Sequence, residues 1–195
     1  HDARPQGCEL LGSHQPFKYL SFSSLVLPNP QSIRSLRRAE MAFAPSTPVT
    51  GGPQTGLTSP TYTIAAATAP VPNAKRYTVT ALGGTQTGVG VHEISKPFDM
   101  TCYQPTQYKL LGTPNPVTGV VANVANNNHA VVVRRGVVPA SGQNPRICTV
   151  KILMDCPAGA ETYDAVNVRA ALSLAFGAAW AQSAGLGDMC VSGTM

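Results

Sequence analysis

The sequence predicts an α+β protein: an antiparallel β-sheet meander that starts from an N-terminal hairpin and ends in C-terminal helical structure packed across the sheet. Three observations predict it. Short β-like runs separated by Gly- and Pro-bearing turns fill the chain from Thr61 to Asp155, and strands joined by brief turns become antiparallel neighbours. The 18 Gly and 17 Pro among 195 residues supply those turns and argue against a long coiled coil. From Ala160 to Gly185 the chain changes character, becoming rich in Ala and Leu with no Pro.

The elements follow in order. TYTIAAAT (61–68) alternates, PVPN turns the chain, and KRYTVTAL (75–82) completes the hairpin. GGTQTGVG breaks the pattern, after which VGVHEIS (89–95) offers another short strand. FDMTCYQP and QYKLLG (107–112) are weaker strand candidates, while TPNPVTG and NVANNNH read as turns, the second one exposed. The clearest strands are HAVVVRRGVV (129–138) and RICTVKILMD (146–155), joined by the loop PASGQNP. In the helical stretch Val168, Leu172, Ala175, Phe176 and Ala179 recur at helical spacing, with Trp180 four beyond Phe176. Glu161 and Asp164 fall in the first turns, where negative charge suits the exposed amides. Twenty helical residues extend about 30 Å, and a helix of that length after a meander has to cross a sheet to bury its stripe.

Residues 1–40 differ from the rest, with five basic and three acidic side chains and no sustained periodicity. Residues 41–60 hold four Pro, three Gly and no charge. The expected division is a leader or upstream extension over 1–40, a flexible Pro/Thr/Gly-rich arm over 41–60, and a folded domain over 61–195.

Charged residues make up only 12% of the chain, about half the usual share. Such a surface is either covered by copies of the same chain or rich in Thr, Ser and Asn, as in secreted β proteins. Hydrophobic residues reach 43%, yet no run of apolar residues is long enough for a transmembrane helix. The formal charge of +5 permits an anionic partner without demanding one. Five cysteines, Cys8, Cys102, Cys148, Cys156 and Cys190, form no CxxC pair and do not read as a zinc site.

Enzymatic chemistry finds little support. His92 and His129 have no nucleophile or carboxylate placed by a motif, and GGTQTGVG lacks the Lys-Ser/Thr ending of a phosphate loop. No catalytic residue, metal site or cofactor is expected. The basic residues carry more information. Arg134 and Arg135 are adjacent in a strand and point to opposite faces. In the next strand Ile147, Thr149, Lys151 and Leu153 share one face, while Cys148, Val150, Ile152 and Met154 share a more apolar one suited to lie under the helix. Lys109 with Tyr108, and Lys75 with Arg76 and Tyr77, form basic–aromatic pairs. Such groups position phosphates and stack bases; equally, they serve as ordinary sheet residues that keep the surface soluble.

Over RICTVKILMDCPAGAETYDAVNVRAALSLAFGAAWAQSAGLGDMCVSG the chain resembles the coat protein of single-stranded RNA bacteriophages, the levivirus-like family. Asp155-Cys156-Pro157 ends the last strand, Glu161 to Asp164 open the helix, and Leu186 to Thr194 occupy the closing segment. The resemblance covers roughly 61–195 and makes that stretch a coat domain. It implies a homodimer whose sheets join edge to edge, each helix crossing onto the partner's sheet through Val168, Leu172, Ala175, Phe176, Ala179 and Trp180. It implies assembly into an icosahedral shell around single-stranded genomic RNA in the bacterial host cytoplasm, with binding of an RNA hairpin as translational repressor and a maturation protein as further partner. Thr149 and Lys151 then become inward-facing RNA contacts, joined by Arg134 or Arg135 but not both, with Lys109 and Tyr108 as a further candidate pair. The chain is long for the family and has few basic residues on its last strands, which favours general packaging of RNA over one specific hairpin. The alternative from another class is a secreted or surface adhesin or pilin-like module, which would end on a strand rather than an Ala-rich helix.

Overall fold

Alternating β-branched and small residues build six strands. In the computed structural model, which describes residues 43–193, these are β1 (Val49–Thr50), β2 (Thr58–Ala67), β3 (Ala74–Thr85), β4 (Phe98–Tyr103), β5 (Asn126–Val137) and β6 (Arg146–Pro157). They form one sheet whose spatial order is the chain order, β1-β2-β3-β4-β5-β6, and every pairing is antiparallel. The expected hairpin is β2–β3, and the two clearest strands of the sequence are β5–β6.

Four local expectations differ from the structure. β3 does not stop at Gly83 but runs through Gly84 to Thr85, opposite an irregularity between Thr58 and Thr61 of β2. Gly84 sits at φ +72°, where a Cβ would overlap the carbonyls of Ser59 and Thr58, so only glycine continues the strand there. VGVHEIS is a loop rather than a strand. It is tied down through His92 instead: the His92 amide donates to the Val79 carbonyl at 2.9 Å, and the His92 side chain accepts at Nδ1 from the amide of Phe98, the first residue of β4, at 3.0 Å. QYKLLG is likewise not a strand, because the Asn127 side chain supplies the pairing a neighbouring strand would give. Asn127 Oδ1 accepts from the Lys109 amide at 2.8 Å, and Nδ2 donates to the Lys109 carbonyl at 3.0 Å. For the same reason NVANNNH is not an exposed turn: β5 begins at Asn126, and Asn127 is buried.

Three helices follow β6: α1 (Ala160–Tyr163), α2 (Ala165–Ala181) and α3 (Ser183–Ser192). The single helix expected over 160–185 is interrupted at Asp164 and Gln182, whose backbones leave the helical region. Gly159 introduces α1 at φ +94°, a conformation suited to glycine. Among the described residues the apolar stripe of α2 is only partly covered. Val168 and Leu172 are half-buried, Ala175 and Ala179 are exposed, and Phe176 and Trp180 keep 43% and 53% of their surface.

Residues 43–57 lie against the rest of the domain. Phe43 meets Tyr77 edge-on at 6.3 Å, and Lys75 Nζ and the Tyr77 hydroxyl both donate to the Phe43 carbonyl. Farther along, Gln54 Nε2 donates to the Ser183 carbonyl, Ser183 Oγ to the Pro53 carbonyl, and Thr55 Oγ1 to Asp188 Oδ2. This stretch therefore fastens the start of α3 across more than a hundred residues of sequence.

Among the described residues only Val79 and Ala158 are buried hydrophobics, whereas Gln86, Asp99, Thr101 and Asn127 are buried polar groups. A sheet with so little apolar interior of its own is half of a structure.

Candidate functional site

Strand register sorts the basic residues onto two faces. Asp99 of β4 lies opposite Thr78 of β3 and Arg134 of β5, and Arg134 lies opposite Thr149 of β6. One step along, Thr101 pairs with Arg76 and Val132, and Val132 with Lys151. Because side chains alternate across a strand, Arg76, Thr78, Asp99, Thr101, Arg134, Thr149 and Lys151 share one polar face. Tyr103 joins it between Ala74 and Ala130, small neighbours that leave its ring uncrowded.

At the centre of this face Asp99 is gripped by two arginines. Arg134 Nε donates to Oδ1 at 2.9 Å and Arg134 Nη2 to Oδ2 at 2.7 Å. Arg76 Nε donates to Oδ2 at 3.0 Å, and Arg76 Nη2 makes a further short bond to the same oxygen. The Asp99 side chain has 0% exposure, while the arginines keep 26% and 38%. Burial alone would raise the Asp99 pKa, but the hydrogen bonds and charges of Arg134 and Arg76 outweigh it and hold the carboxyl below its ordinary value. Bonding to Asp99 in turn raises the pKa of Arg134.

The opposite face carries Phe98, Met100, Val131, Val133, Val150 and Ile152. Arg135 belongs there, its guanidinium 4.7 Å from the centre of the Phe98 ring and one Nη1 donating to the Val91 carbonyl. Of the two adjacent arginines, Arg134 is therefore the one that shares a face with Thr149 and Lys151. Tyr108 and Lys109 are not brought to that face either. The Tyr108 hydroxyl lies 3.2 Å from Nε2 of His129, a residue in phase with Val131 and Val133, and the Lys109 backbone is tied to Asn127.

Arg76, read in the sequence only as part of a basic–aromatic group with Lys75 and Tyr77, completes the face together with Asp99 and Tyr103, which sequence reasoning did not single out. The signal was in FDMTCY, whose alternation places Asp99, Thr101 and Tyr103 together. The sequence does not say that this aspartate is buried, and only burial makes a cationic partner necessary.

β6 is a different kind of site. It pairs with β5 on one side, and among the described residues no strand covers its other side. None of its twelve residues is buried, and Val150 and Leu153 retain 58% and 69% of their surface. A long, apolar, unpaired edge is a template for another strand.

Comparison with known proteins gives this edge its context. No family model and no curated protein matches the chain. Among solved structures, the virus-like particle of bacteriophage ESE020 superposes with a TM-score of 0.77 and 51% identity, covering 79% of this chain and 100% of that one.

The chain belongs to the coat proteins of RNA bacteriophages.

A coat protein is a structural component of the virion rather than an enzyme. The sheet followed by C-terminal helices is the coat fold. In a coat protein the bare strand edge and the uncovered helix stripe belong to a subunit completed by its neighbours, and the low charge of the chain agrees with that.

Proposed function

We propose that this coat subunit pairs with a second copy along β6, assembles into a closed shell, and holds single-stranded RNA against the polar face of its sheet. The observation that carries the assembly is the conjunction of a twelve-residue strand with one open edge and a helix none of whose residues is fully buried among the described residues. Pairing β6 with its symmetry mate joins two six-stranded sheets, satisfies the edge hydrogen bonds, and leaves α2 to seat Phe176 and Trp180 on the apolar face of the other copy. The bacteriophage ESE020 relative, itself a virus-like particle, supports the shell.

Once the helices cover the apolar face, the face with Lys151, Thr149, Arg134 and Arg76 is the one left for the lumen. Its cations suit phosphates and Tyr103 suits an unstacked base. Contacts of this kind to the backbone attract RNA in a salt-dependent way with little dependence on sequence. Electron microscopy of the chain expressed alone, with the absorbance ratio of purified particles at 260 and 280 nm, tests both halves. Hollow or filled particles support the shell and a nucleic-acid absorbance supports packaging. Monodisperse monomers under native conditions would overturn the assembly.

A further inference from the structure

We infer that Asp99 is a positioning residue: it holds Arg76 and Arg134 as a paired, rigid receptor for a backbone phosphate of single-stranded RNA. The inference rests on the reading of the polar face as the RNA side and deepens it. Two guanidinium groups brought close on one sheet face repel each other, and arginine side chains sample many rotamers when free. Here β4 runs between the strands that carry them, and its buried carboxylate takes the Nε and Nη2 of both. Both arginines are thereby fixed through the same edge of the fork, and Nη1 of each has no partner among the described residues. The triad keeps a net charge of +1, and both arginines remain partly exposed on the face that also carries Thr149 and Lys151. Planar, fixed guanidinium donors match phosphate geometry in a way a mobile ammonium does not.

The test exploits the sign of the charge change. Asp99→Asn removes a negative charge from the face, so attraction by charge alone predicts tighter RNA binding, whereas loss of positioning predicts weaker binding. Full-chain dimers of the wild type, Asp99→Asn, Arg76→Lys, Arg134→Lys and Lys151→Ala are titrated with a fluorescent 20-nucleotide single-stranded RNA (a length chosen only as about that of a short probe) over a series of salt concentrations. The expected result is about tenfold weaker binding for Asp99→Asn despite its added positive charge. A severalfold loss is expected for each Arg→Lys variant, whose charge is unchanged. Binding by Asp99→Asn that equals or exceeds the wild type overturns the inference. Should Asp99→Asn fail to fold, the Arg→Lys variants decide the matter, since they keep both the charge and an ion pair to Asp99. Wild-type affinity in both of them overturns it equally. If Lys151→Ala alone weakens binding, the RNA face stands and the positioning role falls. If no variant changes binding, the RNA face itself is wrong.

Discussion

β4 and β6 belong to one sheet, yet one is finished by its own chain and the other is not. β4 is short and paired on both sides, and it buries two polar residues, Asp99 and Thr101, among partners from this chain. β6 is twice as long and, among the described residues, is paired on one side only with none of its own residues fully buried. The contrast inverts the usual arrangement of charge outside and apolar groups inside. The centre of the subunit is fixed by an intramolecular ion-pair cluster, and in the proposed assembly its apolar surface is the one left for copies of itself. Stability at β4 is therefore a property of the monomer, while under the proposed pairing stability at β6 depends on subunit concentration.

The largest effect should come from disabling the unfinished strand. Val150→Asp with Ile152→Asp places charge at the edge without touching β4, and it should abolish particles altogether. Size-exclusion chromatography with light scattering should then show monomers or amorphous aggregate, and normal shells would break the distinction drawn between the two strands. Next comes the centre. Asp99→Ala leaves Arg76 and Arg134 facing each other without a counter-charge and should cost about 3 kcal/mol, as removal of one partner from a buried ion pair does. Urea unfolding of dissociated subunits measures it. The same carboxylate carries a pH signature. Its pKa in the folded protein lies below the unfolded value of about 3.9, so its contribution is present above that pH and fades as the pH falls through the folded value. The urea midpoint should thus drop below about pH 4, and the drop should be shallower in Asp99→Asn.

A smaller effect is expected where the loop before β4 crosses β5. A Cβ on Gly136 would sit 2.5 Å from the Lys96 Cα, so Gly136→Ala should destabilise by about 1–3 kcal/mol. Its thermal midpoint, compared with that of an alanine at exposed Gly112, where an added Cβ meets only ordinary contacts, checks the claim. The smallest change is Lys151→Ala, which should leave dimers and shells intact. It should lower the salt slope of RNA binding by about 0.7, the share of one phosphate contact on a single strand.

The fold was legible where local pattern and tertiary role agree. β2, β3, β5 and β6 announce themselves by alternation, and the Pro-free Ala-rich stretch announces the helices. Legibility failed where a side chain did the work of a backbone. Asn127 gives residues near Lys109 the bonds of a strand neighbour, and His92 does the same for Phe98, so short apolar stretches that look like strands are loops. The polar face was half legible. Thr149 and Lys151 follow from the phase of β6, but choosing Arg134 over Arg135 needs the register with Asp99, and no periodicity within one strand contains it. Tyr108 and Lys109 read as a basic–aromatic pair from adjacency alone, which says nothing about the face a loop will occupy.

The strand order has a consequence for synthesis. Because β1 to β6 lie side by side in the order in which a ribosome releases them, each new strand covers the open edge left by the one before it. The growing sheet never exposes more than one bare edge on its advancing side, and contacts between neighbours in sequence favour rapid folding. β6 is the last strand out. Under the proposed pairing, the surface that recruits another copy is thus offered only after the strands beneath it have been made, so construction of the particle waits, strand by strand, on completion of the subunit.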